Sequence, residues 1–345
     1  MTMNEMKNEE FKEIALKIKA EIDRAQTILL CCHPSADPDS VGSVLALMHY
    51  LESVGKKVMA IRGDDELSKG LLTLPGSEKI INKNFLEIDV SDYDLFIATD
   101  SSSSDQVTKR GEMTQEMRNK TTVIDHHKTD IGWGFVNCVI KDSPATAQII
   151  YDLFEVLGAE ITSEMAKCLF AGIYADTGGF KYPTTSRHTF EIAGKLVQIT
   201  PDFSKVIFEY ENSYEPENIK YLGLALSLIE TYFNGRVALS PVPLSEMKRL
   251  GIKAVHTFKM EISNILKSVI GWEIGVALTE TEAGKTDVSL RTRDADKWDV
   301  SKIAKALGGG GHSAAAGATI YKPLPEAKDL LLSTIENLYP ELGKR

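Results

Sequence analysis

The chain of 345 residues has no apolar run near the roughly 18–20 residues that a membrane helix needs, which argues against a helical membrane protein. It also lacks the apolar core of a signal peptide. The N-terminus, MTMNEMKNEEFKEIALKIKAEIDRA, is charged and helix-prone, so a cytoplasmic location is expected. Cysteine is scarce: Cys31, Cys32, Cys138 and Cys168 lie in apolar segments without CxxC spacing or a disulfide framework, and read as reduced core thiols. Basic charge is in deficit as well. The 39 Lys and Arg against 49 Asp and Glu leave a formal net charge of −10. That balance argues against a general grip on long duplex nucleic acid, which needs a clustered basic surface. A short phosphorylated substrate stays open, because bound divalent cations reverse the local field.

What is present is ordinary globular composition, 43% hydrophobic and 26% charged, at a length that suits two domains. The first half alternates β-rich runs with amphipathic stretches. TILLCCH (27–33), KKVMAIR (56–62), DLFIATD (94–100), TTVIDHH (121–127) and FVNCVI (135–140) read as strands. Helices are expected at 9–25, 40–54, 144–157 and 162–174. The pattern predicts an α/β fold, a doubly wound and mostly parallel sheet, over residues 1–200. The stretch 201–234, which holds the apolar run IKYLGLALSLIETYF, reads as a helical connector, either a rigid bridge or a homodimer contact. A smaller α/β domain is expected over 235–345, with strands at 236–242, 271–281, 285–293 and 317–321 and helices at 299–307 and 324–338. Ala283-Gly284-Lys285-Thr286 is no phosphate loop, since position 279 is Thr where that motif needs Gly; it reads as a hairpin turn.

Three predicted strand ends carry side chains of metal-ligand type. The first is His33-Pro-Ser-Ala-Asp37-Pro-Asp39, an HxxxDxD pattern after an apolar strand. The second is Asp100, the first polar donor after LFIAT, and the third is Asp125-His126-His127. Asp176 adds a fourth point, where a predicted helix runs into a Gly-rich turn. Singly, each reads as a turn former or cap, and Asp39 in particular could cap a helix starting near Ser40. Together they recur at the sheet edge where parallel α/β folds bind ligands. Close carboxylates repel unless cations lie between them, so the cluster points to two divalent ions with Asp100 bridging. Imidazole and carboxylate donors without cysteine suit Mn²⁺, with Mg²⁺, Fe²⁺, Co²⁺ or Zn²⁺ as competitors. Two such ions about 3.5–4 Å apart acidify a bridging water and clamp phosphoryl oxygens, so no serine or cysteine nucleophile is required. Later, Gly308-Gly309-Gly310-Gly311-His312 reads as a flexible loop or as a nest of backbone N–H groups against an anion.

In this order the motifs resemble the DHH phosphoesterase family. Val288-Ser289-Leu290-Arg291 followed by Gly309-Gly310-Gly311-His312-Ser313-Ala314-Ala315-Ala316-Gly317 resembles its DHH-associated C-terminal domain, and the NrnA-like branch is the most similar. The resemblance implies that His33 and Asp37 hold one metal, Asp39 and His126 the other, with Asp100 bridging and Asp176 completing the set. It makes Asp125 the orienter of a histidine and turns His127 toward the phosphate or leaving group. Arg291 would grip a substrate phosphate, and Gly309, Gly310, Gly311, His312 and Ser313 the nucleotide. Many relatives carry a basic residue or Asn just after that histidine; this chain has Ser313-Ala314-Ala315. The implied activity is Mn-dependent hydrolysis of short oligoribonucleotides (nano-RNA, linear dinucleotides) to mononucleotides by a metal-bound hydroxide. The competing activity is phosphatase action on 3′-phosphoadenosine 5′-phosphate (pAp). A nucleotide-binding regulator with a decayed site is the reading from another class, and the intact donor set counts against it.

Overall fold

The computed structural model describes residues 3–34, 36–63, 66–108, 110–127 and 129–343, folded as two compact units, Met1–Ser213 and Tyr214–Arg345. In the first, α1 (Met3–Arg24) leads to β1 (Thr27–Cys31), and α2 (Pro38–Ser53) crosses to β2 (Lys57–Ile61). Then come β3 (Leu95–Thr99), α3 (Gln115–Asn119), β4 (Thr121–Asp125) and β5 (Val136–Val139). Four helices close the unit: α4 (Thr146–Leu157), α5 (Ser163–Asp176), α6 (Arg187–Ile199) and α7 (Phe203–Glu211). All five strands pair in parallel, in the order β2-β1-β3-β4-β5. From β1 the chain runs out to β2 on one side and returns to β3 on the other. The order therefore reverses between β1 and β3, the switch point where open α/β sheets hold ligands.

The strands read as unbroken apolar runs because both faces are buried. Ile28 and Leu30 of β1 pack into the core beneath the helices, while Leu29 and Cys31 pack with Phe85, Phe96 and Met113 on the other side. All four cysteines are buried and none forms a disulfide. Burial pushes the Cys138 thiol up to about 12. Helices α2 and α5 cross closely at two glycines. A Cβ at Gly42 would lie 2.3 Å from the Cys168 carbonyl oxygen, and one at Gly172 would lie 2.7 Å from the Ala147 methyl and 2.8 Å from Asp39 Oδ1.

The second unit opens with α8 (Pro216–Ser227), β6 (Glu230–Tyr232), β7 (Val237–Val242), α9 (Leu244–Arg249) and α10 (Lys259–Ser268). It continues with β8 (Ile274–Glu282), β9 (Lys285–Thr292), α11 (Val300–Ala306), β10 (Gly310–Gly311), β11 (Ala315–Ile320) and α12 (Leu324–Leu338). The sheet order is β10-β11-β9-β8-β7-β6, with β7 and β8 parallel and the other pairs antiparallel. Ala283-Gly284 turns β8 into β9, with Gly284 at φ 74°.

The stretch 201–234, expected as one helical connector, is divided between the units. Phe203, Val206 and Ile207 of α7 pack on the first core, whereas Tyr221 and Ala225 of α8 lie in a core of the second. The break falls where Pro216 at the first turn and the Glu215–Asn218 capping box start a new helix. No helix among the described residues is long and apolar enough to cross a membrane.

Candidate metal centre

The carboxyl ends of β1, β3 and β4 and the last turn of α5 bring the acids and histidines together. The His33 backbone N–H donates to Ser40 Oγ at 3.0 Å, which folds the HxxxDxD turn back on α2. Asp37 is the N-cap of α2, its Oδ1 accepting the Ser40 N–H at 2.9 Å. Asp39 does not fill that position. Its two carboxylate oxygens accept the Thr146 and Ala147 N–H groups at 2.7 and 2.8 Å, closing the N-terminus of α4, whose own cap residue Ala145 supplies no side chain.

Asp100 leaves β3 in the left-handed region, φ 55°, which aspartate tolerates better than most residues. Its N–H still pairs with the Ile124 carbonyl at 2.9 Å, so the turn reorients the side chain without loosening the sheet. Its oxygens face different neighbours. Oδ2 lies 3.5 Å from His33 Nε2, while Oδ1 lies 3.5 Å from His126 Nε2 and accepts the Thr146 hydroxyl at 3.0 Å. His126 Nδ1 lies 3.2 Å from the Ser143 carbonyl, which can only accept, so the proton sits on Nδ1 and Nε2 is left to coordinate. That Nε2 is 3.2 Å from Asp176 Oδ2. Asp125 is fully buried; Oδ1 accepts His127 Nδ1–H at 2.7 Å and Oδ2 accepts the His127 backbone N–H at 3.1 Å.

Potential ligand atoms within 4.8 Å of one another form the groups His33-Asp37-Asp100 and Asp39-His126-Asp176, and a third, Asp100-His126-His127, overlaps both. The electrostatics match a site built for positive charge. Burial disfavours the His33 imidazolium, but Asp100 and Asp37 outweigh it and lift the ring to about 10. Burial likewise opposes the charge on Asp37, yet His33 holds its carboxyl at about 2. Asp39 and Asp176 are pushed well above the usual carboxylate range, by burial first and then by the neighbouring carboxylates. Burial also works against His127, which Asp125 and Asp100 raise to about 9. Mixed imidazole and carboxylate donors under this much mutual repulsion suit divalent cations.

In the second unit, Arg291 lies on β9 opposite Gly275 of β8 and Ala315 of β11. Its Nη1 donates to the Leu290 carbonyl at 3.0 Å. The glycine run is an edge strand rather than a loop. Gly310 and Gly311 pair with Gly317 and Ala316, and two backbone bonds between His312 and Ala315, 2.8 and 3.1 Å, close the turn holding Ser313. A Cβ at Gly309 would sit 2.1 Å from the Gly317 oxygen and one at Gly311 2.6 Å from Ala316 Cα, whereas Gly310 faces open space. Hairpin packing therefore requires glycine at 309 and 311.

Ser40, Ser143, Thr146 and Gly172 also shape the site; the sequence marks Ser40 as a helix start and puts Thr146 in the first turn of another predicted helix, and nothing in it marks Ser143 or Gly172.

Residues 27–173 match the DHH family, N-terminal domain, and residues 255–340 match the DHHA1 domain. The chain belongs to the DHH family. This DHH protein is 26% identical over 317 residues to the bifunctional oligoribonuclease and PAP phosphatase NrnA of Thermus thermophilus, covering 88% of each chain. It is 28% identical over 340 residues to a probable NrnA of Streptococcus mutans, covering 96% of this chain and 97% of that one. Bacillus subtilis NrnA is 26% identical over 322 residues, with 91% and 95% covered. A crystal structure of an exopolyphosphatase-related protein from Bacteroides fragilis shares the fold, with TM-score 0.86 and 23% identity over 96% of this chain and 98% of that one. As a DHH phosphoesterase, the protein is a metal-dependent hydrolase of phosphoester bonds.

Proposed function

We propose that this DHH phosphoesterase hydrolyses short oligoribonucleotides, linear dinucleotides included, to mononucleotides with two divalent cations, Mn²⁺ best among them. The observation that carries the reading is the meeting of His33, Asp37, Asp39, Asp100, His126 and Asp176 at the sheet's switch point. His33 and Asp37 would hold one cation and Asp39, His126 and Asp176 the other, with Asp100 offering one oxygen to each. When bound, the cations supply Lewis acidity for water at neutral pH and counter-charge for phosphoryl oxygens. His127, its Nδ1 held by Asp125, would turn toward a phosphate or leaving-group oxygen rather than serve as a ligand. Arg291 would grip a substrate phosphate through its planar fork, beside His312, Ser313 and the glycine edge. A net charge of −10 suits a short substrate better than a long polymer.

The relatives' name joins oligoribonuclease to PAP phosphatase, so removal of the 3′-phosphate of pAp on the same centre is the second reading. The test offers purified protein and Mn²⁺ a ladder of RNA from about two to twenty-four nucleotides, linear pGpG, and pAp, with products resolved by length. Mononucleotide release fastest from the shortest RNAs is expected. No metal-dependent release of nucleotide or phosphate from any of them would overturn the reading and favour a nucleotide-binding regulator.

A further inference from the structure

Thr146 touches both halves of the proposed metal centre. It is fully buried at the start of α4, its N–H donating to Asp39 Oδ2 at 2.7 Å and its hydroxyl to Asp100 Oδ1 at 3.0 Å. These carboxylates come from different segments: Asp39 from the first turn of α2, Asp100 from the end of β3. A carboxylate on a single Cβ–Cγ bond turns about a broad, two-fold torsion, so its plane needs an outside partner to fix it. Among the described residues Thr146 donates to Asp100 Oδ1, and His33 Nε2 stands 3.5 Å from Asp100 Oδ2. With Oδ1 tied to Thr146, Oδ1 is directed to the His126 side and Oδ2 to the His33 side.

We propose that Thr146 is a positioning residue that fixes the Asp100 carboxylate plane, so that each oxygen serves a different cation, and registers that plane against Asp39. The proposal rests on the two-cation reading above. It assigns the hydroxyl, not the helix start, as the working group: valine at 146 would keep the N–H to Asp39 and nearly the same volume while removing only the bond to Asp100. Serine would keep the hydroxyl.

The test compares Thr146→Val and Thr146→Ser with the wild type, using Mn²⁺ alone as the probe. Calorimetric titration reads the stoichiometry and affinity of both ions, and electron paramagnetic resonance reads spin coupling between them. The wild type and T146S should bind two coupled Mn²⁺ ions with affinities within about threefold of each other. T146V should lose on the order of 10- to 100-fold in the weaker affinity, the usual scale for residues supporting metal ligands, together with the coupled signal. Coupled Mn²⁺ of unchanged affinity in T146V would overturn the proposal, as would T146S behaving like T146V. If T146V does not fold, Thr146→Ala provides a second removal of the hydroxyl. A wild type that binds only one ion fails differently, since it removes the two-cation reading itself before any variant is compared.

Discussion

The two units treat their polar groups in opposite ways. At the sheet edge of the first, Asp39 and Asp125 are buried and each accepts two hydrogen bonds, and Asp100 is pinned by Thr146. In the second, Gly310, Gly311, His312 and Ser313 lie exposed along an edge strand and its turn. Fixed and buried charge suits chemistry at a single phosphorus, where preorganised groups cost no rearrangement as the reaction proceeds. An exposed edge of small residues suits substrates of differing length. On the proposed function, one unit does the chemistry and the other does the choosing, and each is separately breakable.

The largest effect should come from Asp100→Asn. At saturating Mn²⁺ its kcat on a dinucleotide should fall by on the order of 10³ or more; a loss under about tenfold would remove Asp100 from the centre of the scheme. Arg291→Ala should raise KM by about 10- to 100-fold, the worth of a charged hydrogen bond, with kcat within about threefold. Equal falls in kcat for both variants would erase the division between the units.

The metal centre also costs the fold stability. Asp176 ends α5, where the helix dipole disfavours negative charge. Its carboxyl is raised by burial and by Asp39, Asp37 and Asp100, so its contribution to stability is present at low pH and lost as pH climbs past the ordinary carboxylate range. His33 has the same sign: its contribution is complete below 6.5 and lost as pH rises toward about 10. Metal-stripped Asp176→Asn should therefore melt roughly 2–4 °C above the stripped wild type at pH 8. Added Mn²⁺ should raise its Tm less than that of the wild type, whose metal-induced gain should grow with pH. Thermal unfolding with EDTA and with Mn²⁺ decides it, and a less stable stripped variant would refute the account.

The smallest effect sharpens the second unit. Gly309→Ala should cost about 1–3 kcal/mol by overpacking the β10–β11 hairpin. Gly310→Ala, facing open space, should stay within about 0.5 kcal/mol in urea unfolding. The reverse order would show that hairpin packing does not set the need for glycine.

The parallel strands were legible because burial on both faces leaves a run such as TILLC with no polar interruption. The metal-type donors were legible because three of their segments sit directly after such runs. Other features hide for physical reasons. The stretch IKYLGLALSLIETYF is apolar on both sides of Ser227, so its pattern does not mark where α8 ends and β6 begins. Helix α10 is only ten residues long and buries three of them, Ile262, Ser263 and Leu266, one of which is polar. Thr146 and Gly172 acquire meaning only where α4 and α5 meet α2, more than a hundred residues back along the chain. Asp39 belongs here too, since a cap on α4 cannot be inferred from its own helix.

That placement of Asp39 bears on how such a protein would age if selection for catalysis were relaxed. Removing Asp39 strands two N–H groups at the buried start of α4, at about 1–3 kcal/mol each. Removing Asp176 relieves a charge that α5 disfavours. Drift should therefore strip the donors in a fixed order, Asp176 early and Asp39 last. A descendant holding aspartate at 39 with a neutral residue at 176 would be a retired enzyme whose architecture is still intact.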